Sequence, residues 1–137
     1  MIARVLFLSG RYDDARHLTD MLEDLPIGLD YAGSLQQASA RLQQNAYEVV
    51  LTEAVLPDGN WLNVLQLAHD CPVEPRVIVT DPRADARLWA EALNLGAYDL
   101  VVQPFYGPEV RRILSNACSR MPERAPGNHV RARAASA

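Results

Sequence analysis

The chain has 137 residues and a formal net charge of −4 at pH 7, and 49% of its residues are apolar while 22% are charged. These values are ordinary for a soluble globular domain and exclude a disordered chain. Its apolar runs are far shorter than the roughly 20 residues of a membrane-spanning helix, and the stretch before Gly10 is too short for a secretory signal. The acidic balance argues against direct nucleic-acid binding. We therefore expect a cytoplasmic domain with no membrane or nucleic-acid partner. The two cysteines, Cys71 and Cys118, are far apart in the sequence and are expected to be free thiols.

The first predicted strand and helix show how the apolar pattern changes along the chain. Residues 4–8 form an apolar run closed by Ser9-Gly10, as in a strand buried on both faces of a parallel sheet. Asp13 and Asp14 then fall in a first helical turn, where negative charge is favourable. Pro26 is predicted to end this helix. Its apolar residues follow a helical period at Ala15, Leu18, Leu22 and Leu25.

The alternation of strand and helix repeats four more times. Further strands are predicted at 29–32, 49–52, 77–80 and 100–102. A turn-rich loop is predicted over 53–59. The second helix is predicted from Ser34 to Asn45, the third from about 60 to 70, and the fifth from Pro108 to about 120. The fourth helix is predicted to follow Asp81-Pro82. Its inner side is predicted to carry Trp89, Ala92, Leu93 and Gly96.

Five βα units predict an α/β fold, a doubly wound (βα)5 flavodoxin-like sandwich with a five-stranded parallel sheet. In such sheets, sites form outside the carboxyl ends of the strands. We expect residues 1–121 to form the domain. Residues 122–137 mix Pro, Gly, Ala and Arg without a period and are predicted to be a disordered tail or linker. The predicted strand ends are Ser9-Gly10, Glu53, Thr80-Asp81 and Gln103.

These strand ends resemble the receiver domain of two-component response regulators. The resemblance covers about residues 3 to 120 and is carried by the five βα units together with Leu56-Pro57-Asp58-Gly59, Thr80 and Gln103-Pro104-Phe105. It implies a phosphorylation switch, in which an acid pair after the first strand and an Asp after the third hold Mg²⁺ and accept a phosphoryl group.

The chain departs from that motif at nearly every position of the phosphorylation site. Ser9 and Gly10 replace the acid pair, Glu53 replaces the acceptor Asp, and Gln103 replaces the Lys before Pro-Phe. The switch Thr is retained as Thr80, while Leu100 stands where the family often has a switching aromatic residue.

These replacements remove the chemistry together. An orthodox site balances three carboxylates against Mg²⁺ and a Lys, whereas this set keeps one carboxylate and no cation. Phosphoryl transfer depends on metal and cation stabilisation. We therefore predict a degenerate receiver, or pseudo-receiver, that cannot accept phosphate at Glu53, holds no metal or other cofactor and is not an enzyme.

Several of these residues have a second interpretation. Glu53 either mimics a phosphorylated state or satisfies nearby backbone donors; the latter is favoured because a phosphoryl group carries more charge and three acceptor oxygens. Thr80 either bonds Glu53 as a switch or is simply a good strand former with a satisfied hydroxyl. Asp58 and Asp81 either join Glu53 in a cation site or serve as ordinary turn residues.

The resemblance also implies a protein partner, which we expect to be a histidine kinase, an output domain or another signalling protein. Receivers commonly bind through helix four, strand five and helix five, and a homodimer through that face stays open. Trp61 is either a core residue or a partner anchor, and Trp89 is assigned to the core. The predicted partner surface comprises Arg87, Leu88, Glu91, Tyr98, Tyr106, Glu109 and Arg112.

Two other functions stay open. The first is a receiver that is still phosphorylated, on a displaced acid such as Asp13, Asp14 or Asp58. The second is a flavodoxin-like module that binds a small molecule at the strand ends, although the chain has no Gly-rich phosphate loop after the first strand.

Overall fold

Five parallel strands alternate with five helices in the computed structural model, which describes residues 2–119. The strands are β1 (Ala3–Leu8), β2 (Ile27–Ala32), β3 (Val49–Glu53), β4 (Arg76–Asp81) and β5 (Asp99–Val102). The helices are α1 (Tyr12–Met21), α2 (Leu35–Gln44), α3 (Trp61–His69), α4 (Ala86–Asn94) and α5 (Gly107–Ala117). The sheet order is β2-β1-β3-β4-β5, which confirms the predicted doubly wound flavodoxin-like fold.

The core forms two layers, one on each face of the sheet. Along β1, Leu6 and Leu8 pack in the layer covered by α2, α3 and α4. Val5 and Phe7, which alternate with them, pack in the layer covered by α1 and α5. Burial on both faces explains why Val5 to Leu8 form a continuous apolar run and not an alternating one. Arg4, predicted as part of that run, is exposed and pairs with Asp30.

Most predicted helix ends are confirmed by the caps. Ser34 Oγ accepts the backbone N–H of Gln37 at 3.2 Å and begins α2, while Asn45 ends that helix. Pro108 lies in the first turn of α5, where its missing N–H costs nothing. Trp61, at the start of α3, is 6% exposed and belongs to the core, so its interpretation as a partner anchor is wrong.

Three local predictions are wrong. Helix α1 ends at Met21, well before Pro26. Gly96 lies beyond α4 with a φ of 114°, so it ends that helix in the left-handed region that favours glycine and is not on its inner face. The predicted loop after β3 contains an antiparallel ribbon that pairs Val55–Leu56 with Gly59–Asn60.

The predicted domain limit and tail are only partly covered by the structure. Residue 1 and residues 120–137, which include the whole predicted tail over 122–137, lie outside the described residues. Within residues 2–119, no helix combines the length and the apolar character that crossing a membrane would need.

Candidate functional site

The carboxyl ends of β1, β3, β4 and β5 bring the predicted site residues together. Glu53 is the last residue of β3 and is aligned with Thr80 of β4 in the parallel register. Ser9 follows β1 directly, and Gln103 follows β5. The structure therefore places four of the positions that the family motif singles out at one edge of the sheet.

The Glu53 carboxylate is held by hydrogen bonds from its neighbours. Ser9 Oγ donates to Oε2 at 2.8 Å, and the backbone N–H of Gly10 donates to Oε1, with 3.2 Å between nitrogen and oxygen. The Gln103 side-chain amide lies at 3.5 Å from Oε2, a long contact. Both carboxylate oxygens thus have donors from residues that replace the charged members of an orthodox site.

Ser9 links this carboxylate to the start of α1. Its side chain is fully buried, and its Oγ accepts the backbone N–H of Arg11 at 2.9 Å. The single hydroxyl proton has two acceptors in range, Glu53 Oε2 at 2.8 Å and the Arg11 carbonyl at 3.2 Å. The carboxylate is the shorter and charged acceptor, so the proton is directed to Glu53.

Tyr31 is part of the site although the sequence analysis missed it. Its hydroxyl, on the edge strand β2, donates to the Ser9 carbonyl at 2.6 Å. Burial and the nearby negative charge of Glu53 raise the pKa of Tyr31, so the phenol keeps its proton. The family motif has no position on β2, so no sequence signal pointed to this residue.

Thr80 does not bond Glu53. Its hydroxyl oxygen is buried and has no hydrogen-bond partner among residues 2–119. The Glu53 carboxylate instead accepts hydrogen bonds from Ser9 and Gly10. The interpretation of Thr80 as a switch that bonds Glu53 is therefore wrong, and so is the prediction that its hydroxyl is satisfied. Leu100, at the other predicted switch position, is 7% exposed and packs in the core.

The other predicted acids bind backbone groups elsewhere. Asp58, in the turn of the ribbon, accepts the N–H groups of Leu35 at 2.8 Å and Gln36 at 3.1 Å, and these bonds hold the pKa of Asp58 below its usual range. Asp81 accepts the N–H of Arg83 at 2.8 Å. No cluster of three or more His, Cys, Asp or Glu side chains suited to a metal occurs within residues 2–119.

The predicted partner surface is exposed in most but not all of its members. Tyr106 is 65% exposed, and Arg87, Glu91 and Arg112 are also exposed. Leu88, Tyr98 and Glu109 are half-buried. Tyr98 packs against the core layer of α1 and α5, and the Arg76 guanidinium lies 5.1 Å from its ring centroid, so this side chain contributes less free surface than expected.

The sequence relatives are bacterial regulators. Over 93 residues, 67% of this chain and 41% of the relative, the chain is 36% identical to the probable transcriptional regulatory protein y4xI of Sinorhizobium fredii. Over 107 residues, 78% of this chain and 48% of the relative, it is 27% identical to the virulence transcriptional regulatory protein PhoP of Salmonella typhimurium. The chain thus spans less than half the length of these relatives. No protein-family model matches it.

Solved receiver domains share the fold. The receiver domain of the Francisella response regulator 1452 superimposes with a TM-score of 0.77, covering 86% of this chain and 98% of that one at 19% identity. The strand order and this superposition show that the chain has the receiver-domain fold of response regulators, and the bacterial regulators align with two thirds or more of it.

Proposed function

We propose that this receiver acts in two-component or phosphorelay-type signal transduction without a phosphoryl group at position 53, and that it works by binding a protein partner. The observation that carries the proposal is the Glu53 carboxylate, whose two oxygens already accept hydrogen bonds from Ser9 and Gly10. A phosphoryl acceptor attacks phosphorus through a lone pair on a carboxylate oxygen, and a hydrogen bond to each oxygen lowers its nucleophilicity and fixes its direction.

The charges around Glu53 support the same conclusion. Mg²⁺ in phosphoryl-transfer sites is bound through carboxylates and phosphate oxygens. Ser9 and Gly10 supply neither charge nor a carboxylate, and Gln103 is neutral where a cation would stabilise the transferred group. We infer that Ser9, Gly10 and Gln103 supply no cation to the transition state for phosphoryl transfer, and we propose that the chain has no catalytic step of its own.

The partner is proposed to bind the face of α4, β5 and α5. Arg87 of α4, Arg112 of α5 and Tyr106 before α5 are exposed, and arginine and tyrosine are among the residues enriched in interface hot spots. We propose a histidine kinase, an output domain or another cytoplasmic signalling protein as the partner. Both sequence relatives are named transcriptional regulatory proteins, which supports an output domain as the partner.

The direct test is phosphorylation by acetyl phosphate with Mg²⁺, followed by intact mass. We expect no added phosphoryl mass in the wild type, with an orthodox receiver in the same solution as the positive control. A matched variant restores the motif through Ser9→Asp, Gly10→Asp, Glu53→Asp and Gln103→Lys, and it is expected to gain the phosphoryl mass. An Asp fits at position 10 because an added Cβ would meet the Pro57 side chain at 3.6 Å, an ordinary contact.

The outcomes separate the open alternatives. A phosphorylated wild type would overturn the proposal, and peptide mapping would then identify the displaced acceptor among Asp13, Asp14 and Asp58. An unmodified wild type beside a modified orthodox receiver supports it, whatever the restored variant does.

A further inference from the structure

We infer that Tyr31 is a positioning residue for Glu53, and that a chain of hydrogen bonds from Tyr31 through the Ser9-Gly10 peptide to Glu53 joins β2, β1 and β3 without a metal ion. This inference deepens the proposed function and rests on it for the absence of a phosphoryl switch at position 53. It assigns a role to a residue that lies outside the receiver motif.

One peptide group carries the connection. The Ser9 carbonyl accepts the Tyr31 hydroxyl at 2.6 Å, and the N–H of the same peptide, on Gly10, donates to Glu53 Oε1 at 3.2 Å. A planar trans peptide directs its C=O and N–H in opposite directions, so fixing one end fixes the direction of the other. Hydrogen bonds at both ends of one peptide also polarise each other. Tyr31 therefore orients the Gly10 N–H towards the carboxylate.

The position of Tyr31 is itself well defined. Its Cα is aligned with Phe7 in the β1–β2 register, and the pairing of these strands continues to the Ser9 N–H, which donates to the Ala32 carbonyl at 3.1 Å. The Tyr31 ring packs edge-to-face against Tyr12 with 5.2 Å between the centroids. Its hydroxyl thus comes from a side chain held by both the sheet and α1.

The result is a loop held by hydrogen bonds at the place where an orthodox receiver holds an ion. Arg11 is the residue before α1, and its side chain does not cap the helix. Its backbone N–H donates to Ser9 Oγ. Ser9 Oγ in turn donates to Glu53. Residues 9–11 are therefore tied to β3 through Ser9 and Gly10, and to β2 through Tyr31.

The test compares two Tyr→Phe variants by amide NMR. Tyr31→Phe removes the hydroxyl and keeps the ring. Tyr47→Phe is the matched control. The Tyr47 hydroxyl donates to Asp30 over the same distance of 2.6 Å, and Tyr47 lies just before the amino-terminal end of β3. We expect the Gly10 amide of Tyr31→Phe to exchange about two- to tenfold faster and its proton to shift upfield, as for one lost hydrogen bond. Tyr47→Phe should leave the Gly10 proton shift unchanged.

Three results would overturn the inference. The first is a Gly10 amide whose exchange rate and proton shift are unchanged in Tyr31→Phe, although Glu53→Gln shifts the same proton. The second is an equal shift of that amide in Tyr47→Phe, which would indicate general loosening. The third is slower exchange of the Gly10 amide when Mg²⁺ is added to the wild type, which would indicate that the site binds a metal ion. The acetyl phosphate assay reports separately on the proposed function, since it measures a covalent product and not the Gly10 bond.

Discussion

Replacing Glu53 by Asp, the residue that orthodox receivers carry, is expected to destabilise this chain. The Asp side chain is shorter by one C–C bond of about 1.5 Å. Since Ser9 Oγ now lies 2.8 Å from Oε2 and the Gly10 nitrogen 3.2 Å from Oε1, the shorter side chain leaves both donors out of range. A hydrogen bond to a charged group contributes about 1.5–3 kcal/mol, and water replaces part of that at a half-buried carboxylate. We expect a net loss of about 1–2 kcal/mol.

The assay is unfolding by urea and by heat, followed by circular dichroism. A loss of that size should lower the midpoint temperature by roughly 5 °C in a domain of this length. Glu91→Asp makes the same chemical change on the exposed face of α4 and should alter the free energy of unfolding by less than about 0.5 kcal/mol.

The sign of the Glu53→Asp effect makes the prediction sharp. Substitution towards a family consensus commonly stabilises a protein. If Glu53→Asp is as stable as the wild type or more so, the bonds from Ser9 and Gly10 do not hold the site together, and the structural argument against phosphorylation loses its main support.

Two further predictions concern the partner surface and the edge of the sheet. Arg87→Glu and Arg112→Glu should each weaken capture of the partner at least tenfold in a pull-down titration with an unchanged midpoint temperature, and undiminished binding would move the interface elsewhere. Burial and the hydrogen bond to Asp30 raise the pKa of Tyr47 to about 12 from its ordinary 10. Because the folded pKa lies above the unfolded one, this contribution to stability is complete below pH of about 10 and is lost as the pH rises towards about 12. Tyr47→Phe should flatten that alkaline loss in urea titrations at several pH values, and an equally steep loss would refute the assignment.

The sequence predicted the order of strands and helices because each element carries its own periodic signal. The run at residues 4–8 indicated a doubly buried strand, and Val5 to Leu8 do divide between the two core layers, while Arg4 at its start is exposed. Ser34 and Pro108 indicated where helices begin because caps and first-turn preferences act within a few residues. Such local effects can be evaluated without knowing the rest of the fold.

The wrong end predicted for α1 has a cause that lies far away in the chain. At the end of α1, Arg111 of α5 donates to the Met21 carbonyl at 3.0 Å and also pairs with Asp24. Because Arg111 of α5 satisfies the Met21 carbonyl, α1 can end before Pro26 without leaving that carbonyl unbonded. No window of neighbouring residues contains that contact, so the sequence pattern predicted a longer helix.

The site divides in the same way. The sequence by itself determined which residue types stand at the strand ends, and hence that one carboxylate replaces a charged cluster, since this follows from their order along the chain. Only the tertiary structure decided which donors that carboxylate meets, that the Thr80 hydroxyl has no partner among residues 2–119, and that Tyr31 takes part. The physical reason is range: a hydrogen bond forms or fails over a few tenths of an ångström, and those distances are set by the packing of strands that are distant in sequence.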